Sequence, residues 1–424
     1  MQRKNSLKFL SNNRLISSGA LLTASGVLSA GLGYCYQILL GRLLTPTEFA
    51  LFTAAVGLAV FSSSLFGALG MLITRRVSAF KAEYTDGLPS AYFWRIHIYI
   101  VLGSIGLLGV TALFMPYLKE MLHSQSAALI WLIFIYVVMA MFYSVNYAVF
   151  QGLQKFYSMG NFSIGSIILK IILSIGLIYF GFGVVGAIAG MLISMIITVF
   201  FGFWILVRNL SDRQNLTKDV LPRINFRSFM AVYLSGIAIA ALTQLDTVLV
   251  NWYFPGDIAG QYAAISVLGK GVLYLPGGLV LAMFPMVAEN HAKAINSKKM
   301  LFQGIAVTVI LSLFVVAIFM IAGKPLLSAL YGNRYSDATE LLPLYGLAMV
   351  PLALVILAEH YLIAKGKVLF AWLFFALAPL ELLALHYFHS DLRSVIFIIG
   401  GFGSVLAILG FFFMSITLRD KNSN

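Results

Sequence analysis

The sequence contains few charged residues. Asp, Glu, Lys and Arg together make up 10% of its 424 residues, against about a quarter in a soluble domain. Hydrophobic residues make up 61%, and the mean hydropathy is +0.95. A water-soluble fold of this size cannot bury so much apolar surface, because its exterior has to be polar. The composition therefore excludes the soluble enzyme classes and a secreted disulfide scaffold.

Cysteines and chemical motifs are also scarce. Cys35 is the only cysteine, which excludes an internal disulfide and a cysteine-based metal site. The GxxxxGK[ST] phosphate loop, the HExxH zinc motif and the EF-hand loop do not occur. A GxGxxG pattern at Gly181, Gly183 and Gly186 lies in a turn between two apolar runs. Because no strand precedes it, it does not indicate a dinucleotide site. We expect no cofactor and no metal.

Long apolar runs take up most of the chain. They last about 20 to 25 residues, which suits transmembrane helices and is too long for the alternating strands of a membrane barrel. The predicted fold is therefore all-α, a polytopic membrane protein with twelve transmembrane helices. The predicted spans are 16–40, 49–73, 91–115, 127–150, 157–180, 184–207, 228–252, 258–288, 300–322, 338–363, 368–388 and 394–416.

The basic residues predict the orientation. With both termini in the cytoplasm, 21 of the 28 Lys and Arg residues lie on the cytoplasmic side and five on the other, as the positive-inside rule requires. This distribution explains the net charge of +13 without a nucleic-acid partner. The longest loop on the opposite side has about 15 residues, which leaves little room for an extramembrane catalytic surface.

A polar stretch near the middle divides the spans into two sets of six. The predicted units are an N-terminal six-helix lobe, 1–208, a cytoplasmic linker, 209–227, and a C-terminal six-helix lobe, 228–424. An offset of 210 residues places 46–58 on 256–268 and suggests a duplication. Transporters built from such parallel repeats bind substrate between their halves and rock one half against the other.

Proline is concentrated within the spans of the second half. Pro276, followed by Gly277 and Gly278, lies inside the eighth predicted span. Proline removes a helix hydrogen bond and tends to kink the helix. These three residues are a candidate hinge, and a static kink that only aids packing is the alternative.

Two lysines lie near the middle of predicted spans, where inserting a lysine costs about 2.5 to 3.5 kcal/mol. Lys170 shares a helical stripe with Ser166 and Ser174, and Lys270 shares one with Ser266 and Tyr274. These six residues are the predicted lining of a cationic, water-filled cavity that would bind substrate. The alternative is a pair of structural lysines bonded to backbone carbonyls.

Two acidic residues also lie within predicted spans, Asp246 in the seventh and Glu381 in the eleventh. A carboxyl group inside a membrane is costly and often serves a proton or ion pathway. We therefore predict an ion-coupling role for both. A salt bridge to a lysine, or a capped structural acid, is the alternative for each.

Several segments resemble those of polysaccharide-exporting flippases of the multidrug/oligosaccharidyl-lipid/polysaccharide (MOP) exporter superfamily. The resemblance rests on GRLLTPTEFALF at 41–52, QGLQKF at 151–156, LDT at 245–247, GQY at 260–262 and LYGNRY at 330–335. Ala50 stands where glycine is usual. Twelve spans fit the O-antigen and capsule group better than the lipid II flippases.

The resemblance implies a flippase that moves undecaprenyl-pyrophosphate-linked oligosaccharide across a bacterial inner membrane by alternating access. It implies two six-helix lobes, a cationic cavity for sugar and pyrophosphate, and no enzymatic reaction. A proton or sodium gradient would drive the cycle, and polysaccharide polymerase and chain-length proteins would be partners. The alternatives are a cation-coupled multidrug exporter of the same superfamily and a membrane glycan polymerase or ligase.

Overall fold

Helices make up nearly all of the structure. The computed structural model describes residues 24–83, 88–124, 126–208, 210–211, 226–277 and 298–419. Helix α1 runs from the first described residue to 43, and α11 covers 271–277. The other helices are α2 (Pro46–Ser64), α3 (Gly67–Glu83), α4 (Ser90–Leu113), α5 (Met115–Met121), α6 (Ala127–Gly152), α7 (Phe156–Leu177), α8 (Gly183–Val207), α9 (Phe226–Tyr253), α10 (Gly256–Gly269), α12 (Lys298–Tyr331), α13 (Leu341–Ala364), α14 (Leu369–Tyr387) and α15 (Leu392–Arg419).

The helices confirm the predicted all-α membrane fold with twelve transmembrane segments. Ten stretches of the described residues are long and apolar enough to cross a membrane. One of them, Phe156–Val207, contains the fifth and sixth predicted spans, joined by the π-helical turn Ile178–Phe182. The first predicted span corresponds to α1. Backbone groups cannot remain unpaired in lipid, so long helices are what a sequence of this composition must form.

Two segments differ in detail from their predicted spans. The second predicted span is broken at residues 65–66, where α2 ends and α3 begins. The ninth extends well past its predicted end as α12, which contains Pro325 and has a non-helical residue at Ala322. Proline cannot donate the hydrogen bond that would continue a straight helix, so the backbone departs from regular geometry in the preceding turn.

The eighth segment is interrupted at Lys270, six residues before the first residue of the predicted hinge, Pro276. Helix α10 ends at Gly269, and α11 follows after a single turn residue. Pro276 has no N–H, so it leaves the Val272 carbonyl without its helical partner. The Ser312 hydroxyl of α12 donates to that carbonyl at 3.1 Å. Gly278 lies outside the described residues, so the complete hinge stays a prediction.

The chain forms two compact units. Among the described residues, the first unit contains 24–37, 65–119 and 124–211, and the second contains 38–64, 120–123 and 226–419. The predicted linker, 209–227, lies almost entirely outside the described residues. Unlike the predicted N-terminal lobe, the first unit lacks α2, which packs against α9 and α10 in the second unit.

The first unit is organised around an aromatic core between α3, α4, α6 and α7. This core includes Phe80, Tyr92, Phe93, Phe150 and Phe162. The two-residue strands β1 (Leu88–Pro89) and β2 (Leu210–Ser211) pair in parallel and join the start of α4 to the end of α8. Phe162 of this core lies on α7, the helix that also carries Lys170.

Candidate functional site

Lys170 is half-buried on α7 and faces an aromatic ring. Its Nζ atom lies 4.8 Å from the centroid of Tyr36, which comes from α1. An ammonium group over a tyrosine face is attracted by the ring quadrupole. The lysine is therefore held in place without a carboxylate.

A chain of hydroxyl groups fixes the ring of Tyr36. Its hydroxyl donates to Ser174 Oγ at 2.9 Å, and Ser174 Oγ donates to the Ala187 carbonyl of α8 at 3.0 Å. Helices α7 and α8 cross closely here, since a Cβ on Gly190 would lie 2.5 Å from Ser174 Cα. Ser174 is fully buried with its hydroxyl in use, so it positions Tyr36 and does not line an open cavity as predicted.

The other residues of the predicted stripe remain half-buried. Ser166 lies one turn before Lys170 and is partly accessible, and Ser163 donates to Ser29 of α1 at 2.9 Å. Among the residues that the structure describes, no carboxylate lies within 4.0 Å of Lys170 Nζ. Its positive charge is thus not neutralised by an acidic side chain of this part of the chain. Such a cation can attract an anionic ligand.

Lys270 has a different environment in the second unit. Its Nζ atom is buried and forms an ion pair with Asp246 Oδ1 of α9 at 3.0 Å. The Asp246 Oδ2 atom accepts hydrogen bonds from the hydroxyls of Tyr262 at 2.9 Å and Tyr345 at 2.8 Å. The prediction treated Lys270 as a cavity cation. This ion pair corrects that expectation, because the adjacent carboxylate neutralises the charge.

Lys270, Asp246, Tyr262 and Tyr345 form a hydrogen-bonded network, called here the Asp246 network. Close packing around Tyr345 holds it together. Residue 269 must be glycine, since a Cβ there would overlap the Tyr345 ring. Ser266 is fully buried and its Oγ atom lies 3.2 Å from the Tyr345 hydroxyl. Ser266 therefore belongs to the network and not to an open lining. Tyr274, by contrast, is exposed and its hydroxyl accepts a 3.2 Å hydrogen bond from Gln244.

Glu381 is buried on α14, close enough to Asp246 for the two carboxyl groups to interact electrostatically. It has no hydrogen bond or ion pair within the described ranges. Two acids and one lysine therefore share this interior, with a single ion pair between them. The predicted coupling residues lie near each other, and their role in transport stays a prediction.

Sequence reasoning missed three tyrosines of these two sites, Tyr36, Tyr262 and Tyr345. Each is buried and lies on a helix other than that of the charged group it contacts. No local pattern predicts such contacts. The 210-residue offset placed Tyr262 opposite Phe52 but gave no indication of its hydrogen bond to Asp246. No cluster of three or more potential metal ligands occurs in the described part of the chain.

Comparisons with known proteins agree with this architecture. The sequence model of a family described as "Polysaccharide biosynthesis protein" matches residues 15–291. No curated protein sequence matches the chain. At such low identities, the solved structures described next establish a shared fold only.

One similar structure is an inward-facing multidrug resistance MATE family transporter of the MOP superfamily, with a TM-score of 0.69, 16% identity, and coverage of 93% of this chain and 96% of that chain. The lipid II flippase MurJ in its inward closed conformation has a TM-score of 0.69, 14% identity, and coverage of 93% and 87%. A MOP superfamily transporter from Pyrococcus furiosus has a TM-score of 0.56, 18% identity, and coverage of 96% of both chains.

Proposed function

Because the chain belongs to the polysaccharide biosynthesis protein family and is a member of the MOP exporter superfamily, we propose that its cargo is a lipid-linked oligosaccharide. The family makes it a membrane transporter and not an enzyme. The finer proposal is that it flips an undecaprenyl-pyrophosphate-linked repeat unit from the cytoplasmic to the outer leaflet of a bacterial inner membrane by alternating access.

The observation that carries this proposal is the environment of the Lys170 ammonium group. Its ammonium group rests on the Tyr36 ring and has no carboxylate partner in the described residues. A cation without a counter-ion in a largely apolar helix is costly unless a ligand supplies the negative charge. A diphosphate is such a ligand, and lysine binds phosphate as a point charge. A cationic drug would instead be repelled.

The Asp246 network supports the second element of the proposal, coupling to an ion gradient. Binding a proton or sodium ion near Asp246 and Glu381 would change the balance of charge around Lys270. The Lys270–Asp246 pair could then open and close during the cycle. Asp246 and Glu381 are the proposed coupling residues.

The proposal can be tested in a strain that lacks the gene and carries plasmid-borne variants. Lys170→Gln should block export, so that complete lipid-linked repeat units accumulate in the cytoplasmic leaflet. Lys170→Arg, which keeps the charge, should restore part of the export. Lys324→Gln changes an exposed lysine on α12 and serves as the matched control.

Two outcomes would contradict the proposal. Full export by Lys170→Gln at normal protein levels would remove Lys170 from the cargo site. Drug resistance conferred by the wild-type gene, with no change in lipid-linked glycans after its deletion, would favour a multidrug exporter. In vitro chain extension by the purified protein would favour a glycan polymerase or ligase.

A further inference from the structure

Three tyrosines form a row along one face of α6 in the first unit. Tyr136, Tyr143 and Tyr147 are seven and four residues apart, so they project from the same side of the helix. Tyr147 lies five residues and Tyr136 sixteen residues before the end of α6, which are about 8 and 24 Å along the helix axis. A belt of interfacial aromatic residues would occupy only the ends of the helix. The row instead continues deep into the membrane span.

The tyrosine row lies on the side of α6 that faces the surroundings of Lys170. Tyr136 and Tyr36 are close enough for their hydroxyl groups to interact electrostatically, and the Lys170 ammonium group lies over the Tyr36 ring. On the flanks of the row, Asn146 donates to a backbone carbonyl of α8 at 3.0 Å, and the Ala148 carbonyl accepts from a threonine of α3 at 3.2 Å. The row is therefore bordered by neighbouring helices of the same unit.

Two rings of the row belong to a rigid aromatic stack. The ring centroids of Tyr143 and Tyr147 are 6.1 Å apart with an angle of 17° between their planes. Tyr143 also stacks on Phe162 of α7 at 4.6 Å and 17°. Phe162 is buried, and a Cβ on Gly202 of α8 would lie 2.5 Å from its ring. Packing between α7 and α8 thus fixes the base of the stack, and the stack needs little ordering when a ligand binds.

The row combines ring surfaces with hydroxyl groups that a ligand can reach. All three tyrosines are partly accessible. Within the described ranges, the hydroxyls of Tyr136 and Tyr147 have no hydrogen-bond partner, although a tyrosine inside a protein usually has one. A sugar ring matches both features, because its C–H groups pack on an aromatic face and its hydroxyl groups bond to a phenol.

We propose that Tyr136, Tyr143 and Tyr147 bind the sugar residues of the cargo. This inference rests on the proposed function, in which Lys170 binds the diphosphate. Lys170 is fourteen residues from the start of α7, about 21 Å, which is close to the depth of Tyr136 on α6. The glycan would extend from Lys170 along α6 towards Tyr147. The row is about 16 Å long, which suits an oligosaccharide better than a single sugar.

Binding of two lipids to the purified full chain in nanodiscs tests the site. One is undecaprenyl pyrophosphate without sugar, and the other is the lipid-linked glycan extracted from the strain that lacks the gene. Wild type should bind the glycosylated lipid more tightly. Tyr143→Leu and Tyr147→Leu should each weaken binding of the glycosylated lipid about three- to tenfold and leave binding of the sugar-free lipid unchanged. Lys170→Gln should weaken binding of both lipids.

Two further variants separate the ring from the hydroxyl group. Tyr147→Phe keeps the ring and should lose less affinity for the glycosylated lipid than Tyr147→Leu. Tyr136→Phe removes only a hydroxyl, so it provides a second measurement if Tyr143→Leu does not fold, and it should weaken glycan binding at least twofold. Tyr99→Leu is the matched control, because Tyr99 is an exposed tyrosine of α4 in the same unit. It should leave both affinities unchanged.

The two lipids distinguish failure of the sugar site from failure of the proposed function. The sugar site is overturned if wild type binds both lipids equally, if the row variants bind the glycosylated lipid as tightly as wild type, or if they weaken binding of both lipids equally. In these three cases, binding of the sugar-free lipid through Lys170 would still support the flippase. Wild type that binds neither lipid would overturn the proposed function and the sugar site together.

Discussion

Thr47 and Asp257 form a hydrogen bond of 2.9 Å although they are 210 residues apart. The same offset relates the two halves of the sequence, so each residue contacts its own equivalent. Thr47 lies at the start of α2 and Asp257 at the start of α10. Contacts between equivalent positions are typical of two-fold relationships. The packing here is close, since a Cβ on Gly256 would lie 3.1 Å from Thr47 Cβ.

This contact provides a test of whether α2 and α10 move apart during transport. A variant with Thr47→Cys and Asp257→Cys, in which Cys35 is replaced by serine, should form a disulfide on oxidation because the two side chains already meet. If α2 and α10 must separate at this end during transport, the oxidised protein should lose transport and regain it on reduction. Transport would be measured in proteoliposomes before and after reduction.

The single-cysteine variants are the controls for this experiment, and oxidation should leave them active. A cross-linked double variant that still transports at the wild-type rate would show that the contact is static. In that case α2 and α10 would remain joined throughout the cycle.

The buried pair of Lys270 and Asp246 predicts a specific pattern of stability. Removing one partner leaves the other charge buried without compensation, which costs about 3 to 5 kcal/mol. Lys270→Met and Asp246→Asn should therefore each lower the unfolding temperature in detergent. The double variant should lose much less than the sum of the two, because neither uncompensated charge remains. Additive losses would contradict a direct ion pair.

The sequence predicted the spans well and the partners of the charged groups poorly. Span lengths follow from the thickness of the bilayer and the absence of water inside it. Lys170 and Lys270 have similar depth and similarly polar faces, so periodicity predicted the same role for both. Periodicity gives the polar face of a helix but not the neighbouring helix. Tyr36 lies beside Lys170, whereas Asp246 lies beside Lys270.

The breaks in the helices were also hidden in the sequence. The interruption at residues 65–66 and the turn at Lys270 both occur inside continuous apolar runs, where hydropathy does not change. The proline at 276 was visible, but its consequence depends on α12, which supplies the Ser312 hydroxyl. Contacts between helices determine where a helix is interrupted, and a local sequence pattern does not encode those contacts.

Gly269 should be intolerant of even a methyl group. A Cβ at this position would overlap the Tyr345 ring, which donates to Asp246. We expect Gly269→Ala to destabilise the protein by about 1 to 3 kcal/mol through overpacking. Gly401→Ala is the matched control, because Gly401 is helical with open space around it. It should be neutral or stabilising by up to about 1 kcal/mol. Thermal unfolding in detergent measures both, and equal effects would contradict the packing argument.

Asp391 should give the start of α15 a pH-dependent stability. Its Oδ1 atom accepts hydrogen bonds from the Ser394 hydroxyl and backbone N–H at 2.6 and 2.7 Å. These bonds favour the ionised form and lower the pKa of Asp391 below its ordinary value of 3.8. The stabilisation is therefore complete above about pH 4 and is lost as the pH falls through the lower folded value.

Comparing unfolding temperatures at neutral and acidic pH tests this assignment. Asp391→Ala should unfold at a lower temperature than wild type at about pH 7, and the difference should shrink towards zero at strongly acidic pH. A difference that is constant with pH would show that the carboxylate is not the capping group.

Pro276 and Ser312 should show strong coupling in a double-mutant cycle. In wild type the Val272 carbonyl accepts from Ser312 at 3.1 Å, because residue 276 has no N–H to offer. Ser312→Ala should leave this buried carbonyl unpaired and cost about 1 to 3 kcal/mol. In a Pro276→Ala background, the new N–H of residue 276 can bond to Val272 and the helix can straighten. Ser312→Ala should then cost much less, so the coupling energy measured by thermal unfolding should be about 1 kcal/mol or more. An equal cost in both backgrounds would show that the serine stabilises α12 in another way.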